Sequence, residues 1–543
     1  MDLAWWEDCV VYQIYPRSFQ DSNGDGIGDL QGIVQRLEYI KDLGVDAIWL
    51  NPIFTSPMAD FGYDIADYRS IDPVFGTMED AELLIEKAHG LSLKVIFDLV
   101  LNHTSDKHPW FLESRSSKDN EKADYYIWSD TVPNNWKGAF GGKGWTFDKK
   151  RGQYYFHSFL PQQPDLNWRD TKAVDSIFDE VRFWLQKGVD GFRLDVINSI
   201  IKDASFRNNP KILGSRPRPY DMQRHIFDRN RPESHSKLKL LRKLVDTFPD
   251  RMLVGEIMVE NPGEPELAAS YLGRTGDELN LSFDFSLINT SFSAQKWQRS
   301  AKRWYEAVGR HRTPAWVLNN HDVSRSVSRL SNNEDKARLA AFFLFTQRGA
   351  IFIYYGEELG LRDSFVCRKH MKDPVGRRYW PFHKGRDPQR GPMVWGVGGN
   401  HGFTKGDPWL PFVKRANWYA VENQEIEGDS MLTFYRSLID FRLEEPTLRR
   451  GVCEFHEQKN PNLMVFSRTL GEKRMLVILN FSSQRQSVAL GEFGLRSSDS
   501  EEMFSTSPVP LQPRFSYDSV LLDRYEGVIF RLPDLPQPKV YEE

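Results

Sequence analysis

Three apolar runs of this 543-residue chain each end on an acid: GFRLD at Asp195, RMLVGE at Glu256 and AWVLNNHD at Asp322. Taken alone, such an acid more often caps a helix or pairs with an arginine than reacts. Three of them, at comparable places in three separate runs, point to a shared site. A protonated carboxyl can give a proton, and an ionised one can attack or hold a developing positive charge. Paired carboxylates around a pocket are the apparatus of glycoside hydrolysis.

Local surroundings suggest how the work divides. In GFRLDVIN (191–198) side chains alternate along a strand, so Phe192, Leu194 and Val196 share one face and Arg193 and Asp195 the other. The first face reads as core, the second as a structural ion pair or the floor of a site. The cation beside Asp195 favours its ionised form, which suits a nucleophile. Glu256 has apolar neighbours and no adjacent cation in sequence. Burial would keep it protonated, which suits a general acid. Asp322 follows Asn320 and His321, among hydrogen-bonding groups suited to holding hydroxyls of a distorted ring.

The elements that must position these acids come next. Eight apolar runs (10–16, 46–52, 93–103, 191–196, 251–257, 279–285, 315–322 and 350–356) alternate with helical periods such as 78–91 and 173–188. That alternation predicts an α/β fold, a (β/α)8 TIM barrel, whose C-terminal strand ends carry the chemistry. The barrel is expected over 1–103 and 169–445. Residues 104–168, polar, aromatic and glycine-rich, read as a sub-domain inserted after the third strand. Residues 199–236 are a long basic, proline-containing excursion after the fourth, of the kind that forms lids or walls. From 446 to 543 strands alone recur, predicting a C-terminal antiparallel β-sandwich.

Hydrophobic residues are 40% and charged residues 27%, ordinary for a soluble domain. Aromatics at 13%, with 16 Trp, supply a large core or stacking surfaces for sugars. A net charge of −4 argues against nucleic acid or an anionic membrane as partner. Cys9, Cys367 and Cys453 are widely spaced with no CxxC, which argues against a thiolate metal set and for a reducing compartment. No secretory leader and no run approaching ~20 apolar residues is present, so the expectation is a cytoplasmic enzyme without a membrane partner. Oligomeric state leaves no signature in the sequence.

DLVLNHTS (98–105), GFRLDVIN (191–198), GEIM (255–258) and NNHDVSR (319–325) resemble, in order, the four signature blocks of the α-amylase superfamily, glycoside hydrolase family 13. QPDLNW (163–168), QIYPRSF (13–19), GYDIADY (62–68) and YYGEELG (354–360) are similar to its oligo-1,6-glucosidase and α-glucosidase branch. The resemblance implies a retaining double displacement, with Asp195 the nucleophile, Glu256 the general acid/base and Asp322 the transition-state stabiliser. It implies that Asp64 and Arg390 grip the non-reducing glucose, that Tyr63 stacks under it, that His103 and His321 hydrogen-bond its hydroxyls, and that Arg325 buttresses the cluster. Arg193 then belongs to the floor of the site. A small α-linked oligosaccharide or glucoside is the implied substrate, cut from its non-reducing end. The branch usually has Thr where GRDPQRGPMVW (385–395) has Gly391. Val196, after the nucleophile, goes with α-1,6 cleavage in this branch. The excursion resembles that of α-1,4-glucosidases acting on short, aryl or alkyl glucosides, which keeps a maltase-type activity with transglucosylation open.

DSNGDGIGD (21–29) has the spacing of the start of an EF-hand, with Asp21, Asn23 and Asp25 at positions one, three and five, the Ile27 carbonyl at seven and Asp29 at nine. Position twelve is Gly32 and no helix precedes the loop, so a true EF-hand is not expected. The resemblance implies a structural Ca2+ here, with Mg2+ as the alternative. Two further readings stay open. Trehalose-phosphate hydrolases and sucrose isomerases share the blocks, and Arg207, Lys211, Arg216 and Arg218 could bind a phosphate. A remote alternative is a non-catalytic, transporter-associated relative, against which stand the three retained acids.

Overall fold

The structure is a computed structural model describing residues 4–534 apart from 215–217, 260–262, 494–495, 497–500, 508–513 and 517. Its centre is a parallel barrel of β1 (Val10–Ile14), β2 (Ala47–Leu50), β3 (Lys94–Val100), β4 (Gly191–Asp195), β5 (Met252–Gly255), β6 (Leu281–Ser282), β7 (Ala315–Val317) and β8 (Ala350–Tyr354). The hydrogen-bonded order is β6-β5-β4-β3-β2-β1-β8-β7, and a parallel bridge between Phe283 and Ala315 joins its two ends. All eight expected runs are barrel strands.

Alternation within the strands separates two cores. Val11, Trp49, Ile96, Val254, Val317 and Phe352 pack together in the lumen. Phe192 and Leu194 join the larger core between strands and helices. Arg193 and Asp195 therefore face the lumen, where the Arg193 guanidinium lies 5.3 Å from the centre of the Trp49 ring. The helix Thr171–Gln186 feeds β4. Asp170 caps it by accepting from the Ala173 amide, and Val174, Ile177, Val181 and Trp184 form its buried stripe at three- and four-residue spacing.

The insertion after β3 carries a three-stranded antiparallel sheet built from Trp128–Ser129, Gln153–Phe156 and Trp145–Asp148. Lys202, buried beside β4, ties it to the barrel through an ion pair with Asp165 and a bond to Asn102 at the end of β3. At the C-terminus a five-stranded and a three-stranded antiparallel sheet enclose a shared core that includes Val465, Ile478, Val520 and Phe530. The boundary falls later than 446: Pro446–Arg450 is helical and the first strand is Val452–His456. The excursion after β4 is also shorter than expected, because helix Glu233–Val245 begins inside it.

Candidate active site

Asp195 is the last residue of β4, and Glu256 is the first after β5. Arg193 joins them. One guanidinium nitrogen donates to Asp195 and to Asp98 on β3, each at 2.8 Å, and another donates to Glu256 at 2.5 Å. The apolar window around Glu256 thus conceals a cation. Arg193 is level with Val254 on the neighbouring strand, and Glu256 stands two residues further along on the same face. Burial pushes the Asp195 carboxyl well up. Arg193 opposes the shift, and Glu256, Asp98 and Asp322 add to it. Burial likewise moves Asp98 up to about 6 against the pull of Arg193. Arg193 opposes the rise at both carboxyls without cancelling it. Three carboxyls share one cation, and two of them, Asp98 and Asp195, are raised despite it.

Asp322, in the loop after β7, has the opposite surroundings. Its Oδ1 accepts from Arg390 at 2.7 Å and lies 3.4 Å from Arg386 and 3.5 Å from His321. Burial works against its charge, but His321, Arg386 and Arg390 outweigh that and hold the carboxyl well below the usual range. A third of its side chain, 33%, is open to the cavity. It is a fixed anion placed for a positive charge developing on a sugar ring.

The three acids line a cavity of about 290 Å³, at the small end for a ligand pocket. Tyr63, His103, Phe159 and Val196 wall it, and Arg218, Tyr220, Met258 and His383 also face it. The Tyr63 hydroxyl is anchored to Asp98, Asn51 and His321. Val196 takes a left-handed conformation, φ 38°, and packs with Ala139 and Phe159 rather than on the core face of β4.

Several expected contacts fall elsewhere. Asp64 is wholly buried and accepts from Ser56 Oγ and the amides of Ala59 and Asp60. The carboxylate in the pocket wall is Asp60, paired with Arg386 at 2.5 Å. Arg390 is buried behind Asp322 and does not line the pocket; Arg386 does. Each pair, Asp60/Asp64 and Arg386/Arg390, is separated by four residues, and the local pattern does not say which member faces in. His321 is buried with Nε2 on Tyr63 Oη and Nδ1 near Gln13, so it orients Tyr63 and Asp322 rather than meeting a ligand. His103 reaches the pocket, yet Nε2 bonds the Tyr63 carbonyl and Nδ1 accepts from Asn102; burial lowers it to about 4 and keeps it neutral. Arg325 donates to the Tyr355 carbonyl and lies over the Tyr354 and Tyr355 rings, away from the acids. Gly391 has a reason: a Cβ there would overlap the Ser364 hydroxyl.

The pattern for the alpha amylase catalytic domain matches residues 13–451, and that for the maltogenic amylase C-terminal domain matches 453–524. The chain belongs to glycoside hydrolase family 13, the α-amylase superfamily. This hydrolase is 43% identical over 500 residues to a probable alpha-glucosidase of Rhizobium meliloti (strain 1021), covering 89% of this chain and 90% of the relative. It is 37% identical over 521 residues to an oligo-1,6-glucosidase of Parageobacillus thermoglucosidasius, covering 89% and 92%. Among solved structures, that of an alpha-glucosyl transfer enzyme, XgtA, superposes with a TM-score of 0.91 at 40% identity, covering 98% of this chain and all of that one.

In the hydrolase's 21–29 loop, side chains bind the loop's own amides. Asp21 accepts from the amides of Asn23, Gly24 and Gly26 and from Thr404 Oγ1. Asp29 accepts from Gly32 and Ser22. Asn23 Oδ1 and Asp25 Oδ1 take one amide each, from Asp25 and Ile27, which leaves them acceptor capacity for a hard cation. Among the described residues no three His, Cys, Asp or Glu side chains converge to hold a metal. Of the basic residues in the excursion, Arg207 is paired with Asp203 and Arg218 with Asp221; Lys211 is exposed, and Arg216 lies outside the described residues. Among the described residues no helix is long and apolar enough to cross a membrane.

Proposed function

We propose that this α-glucosidase is exo-acting and retaining, and that it releases one glucose from the non-reducing end of short α-glucosides. The observation that carries the reading is the small cavity in which Asp195 and Glu256 rest on one guanidinium while Asp60 and Arg386 form a paired wall. Glu256 gives its proton to the glycosidic oxygen as Asp195 attacks the anomeric carbon. Asp322 stabilises the positive charge on the ring. Water, deprotonated by Glu256, then frees the sugar from Asp195 with its configuration retained.

Val196 in the pocket wall and the oligo-1,6-glucosidase relatives favour α-1,6 linkages of the isomaltose type. Arg218 and Tyr220, which the excursion brings to the same pocket, favour the second reading, an α-1,4-glucosidase that also transfers glucose. Incubating the protein with isomaltose and maltose, with Asp195→Asn as control, separates them. Faster isomaltose cleavage, with α-glucose formed first by NMR and loss of ~10⁴-fold in the variant, is expected. Faster maltose cleavage selects the second reading, and β-glucose as first product refutes retention.

We also infer a structural Ca2+ or Mg2+ at the 21–29 loop, held by Asn23, Asp25 and the Ile27 carbonyl with Asp21 and Asp29. A chelator should lower the melting temperature, and an unchanged melt would remove the ion from the account. The three free cysteines support a cytoplasmic location.

A further inference from the structure

A second and larger cavity, about 790 Å³, adjoins the catalytic pocket, and Asp322 and His383 line both. Four cations line the second cavity: Arg362, Lys384, Lys414 and Arg415. Among the described residues none of the four is paired with an acid. Arg362 donates to the Asn332 carbonyl, Lys414 lies 5.4 Å from the centre of the Phe365 ring, and Arg415 lies 4.5 Å from that of Trp418. Only two carboxylates line the cavity against these four cations. Asp322 holds Arg390, and Asp363 accepts from the Arg325 amide and Ser324 Oγ. The cavity therefore carries surplus positive charge.

Its aromatic lining is exposed as well. Phe365 is 65% exposed and Trp418 62%. Arg415 is held at φ 59°, a left-handed conformation unfavourable for a residue with a Cβ and found where surroundings dictate it. Exposed rings attract a flat partner, and cations with no carboxylate on them attract an anion. A neutral sugar supplies no charge to meet the cations.

We propose that this cavity is an aglycone site for an aromatic group bearing an anion, such as an aryl carboxylate. The proposal rests on the glucosidase reading and names a substrate class for it: aryl α-glucosides with a negatively charged ring. On cleavage the bond between the anomeric carbon and the aryl oxygen breaks, that oxygen takes the Glu256 proton, and the anomeric carbon bonds to an Asp195 oxygen. The charged phenol stays on the cations until it leaves.

The test compares kcat/KM for 4-carboxyphenyl and phenyl α-glucoside in the wild type and in a Lys384→Ala/Lys414→Ala double variant. The wild type should favour the charged glucoside by roughly tenfold, less at high salt, and the ratio should fall to near one in the variant. A wild-type ratio near one, or a ratio that survives in the variant, overturns the proposal. If no glucoside at all is cleaved, the glucosidase reading fails and the cavity is judged by binding alone. There, 4-hydroxybenzoate should quench tryptophan fluorescence of Asp195→Asn, and Trp418→Ala should reduce the quench. Absent quenching, or quenching by glucose 6-phosphate with none by 4-hydroxybenzoate, refutes an aryl-anion site.

Discussion

Two arginine–carboxylate assemblies face each other across the pocket, and they move their carboxyls in opposite directions. At Arg193 one guanidinium contacts Asp98, Asp195 and Glu256. At Asp322 one carboxylate lies on Arg390 and near Arg386, which also holds Asp60 and Asp373. Burial outweighs the single cation at Asp98 and Asp195 and raises both. At Asp322 the neighbouring cations outweigh burial and lower it. The same two residue types thus give the pocket one end where burial prevails and one where charge does.

The sharpest way to break the comparison is Glu256→Gln, which removes the exchangeable proton from the crowded end. A loss of ~10³–10⁴-fold in kcat/KM on isomaltose is expected, with most of it recovered on glucosides whose leaving group departs without a proton. An equal loss on both would mean that Glu256 does not deliver the proton. Asp322→Asn acts on the other end and should cost ~10²–10³-fold in kcat. Because Asp322 is held charged far below neutrality, that loss should be the same at pH 5 and at pH 7; a loss confined to pH 7 would contradict the charge assignment.

Glu358 supplies a third case, a buried carboxyl with no cation in hydrogen-bond contact among the described residues. It accepts from Tyr12 at 2.7 Å and Tyr39 at 2.8 Å, and burial raises it from 4.5 to about 7. A raised folded-state pKa means that its contribution to stability is full below 4.5 and is lost as pH rises through about 7. Glu358→Gln cannot ionise. Relative to wild type it should gain about 3 kcal/mol between about pH 4.5 and about pH 7.5, read from denaturant melts at both. A difference that does not change with pH would show that Glu358 is not protonated in the folded chain.

What was legible in the sequence follows from range. Asp195, Glu256 and Asp322 stand at or just beyond strand ends, and each strand announces itself over a handful of residues. The barrel follows from the same short periods. Contacts set by register across strands were not legible, and so the cation on Glu256 was missed although Arg193 was known. Asp60 and Arg386 lost out to Asp64 and Arg390 because a four-residue offset inside an irregular loop leaves no periodic trace. His321 and Arg325 are directed by contacts the sequence does not show, His321 to the Tyr63 hydroxyl and Arg325 to the Tyr355 carbonyl. One signal was available: the departure at Gly391, which marks where Ser364 needs room.

Among the described residues, a single bridge between Phe283 and Ala315 joins β6 to β7. Every other junction of the barrel has at least two register pairs. Hydrogen exchange should find its fastest barrel amides along that seam, since the least-paired junction opens at the lowest free energy. Glu256 and Asp322 stand on opposite sides of it. On warming, the spacing between proton donor and fixed anion is then expected to loosen first, with turnover falling before the helical circular dichroism does.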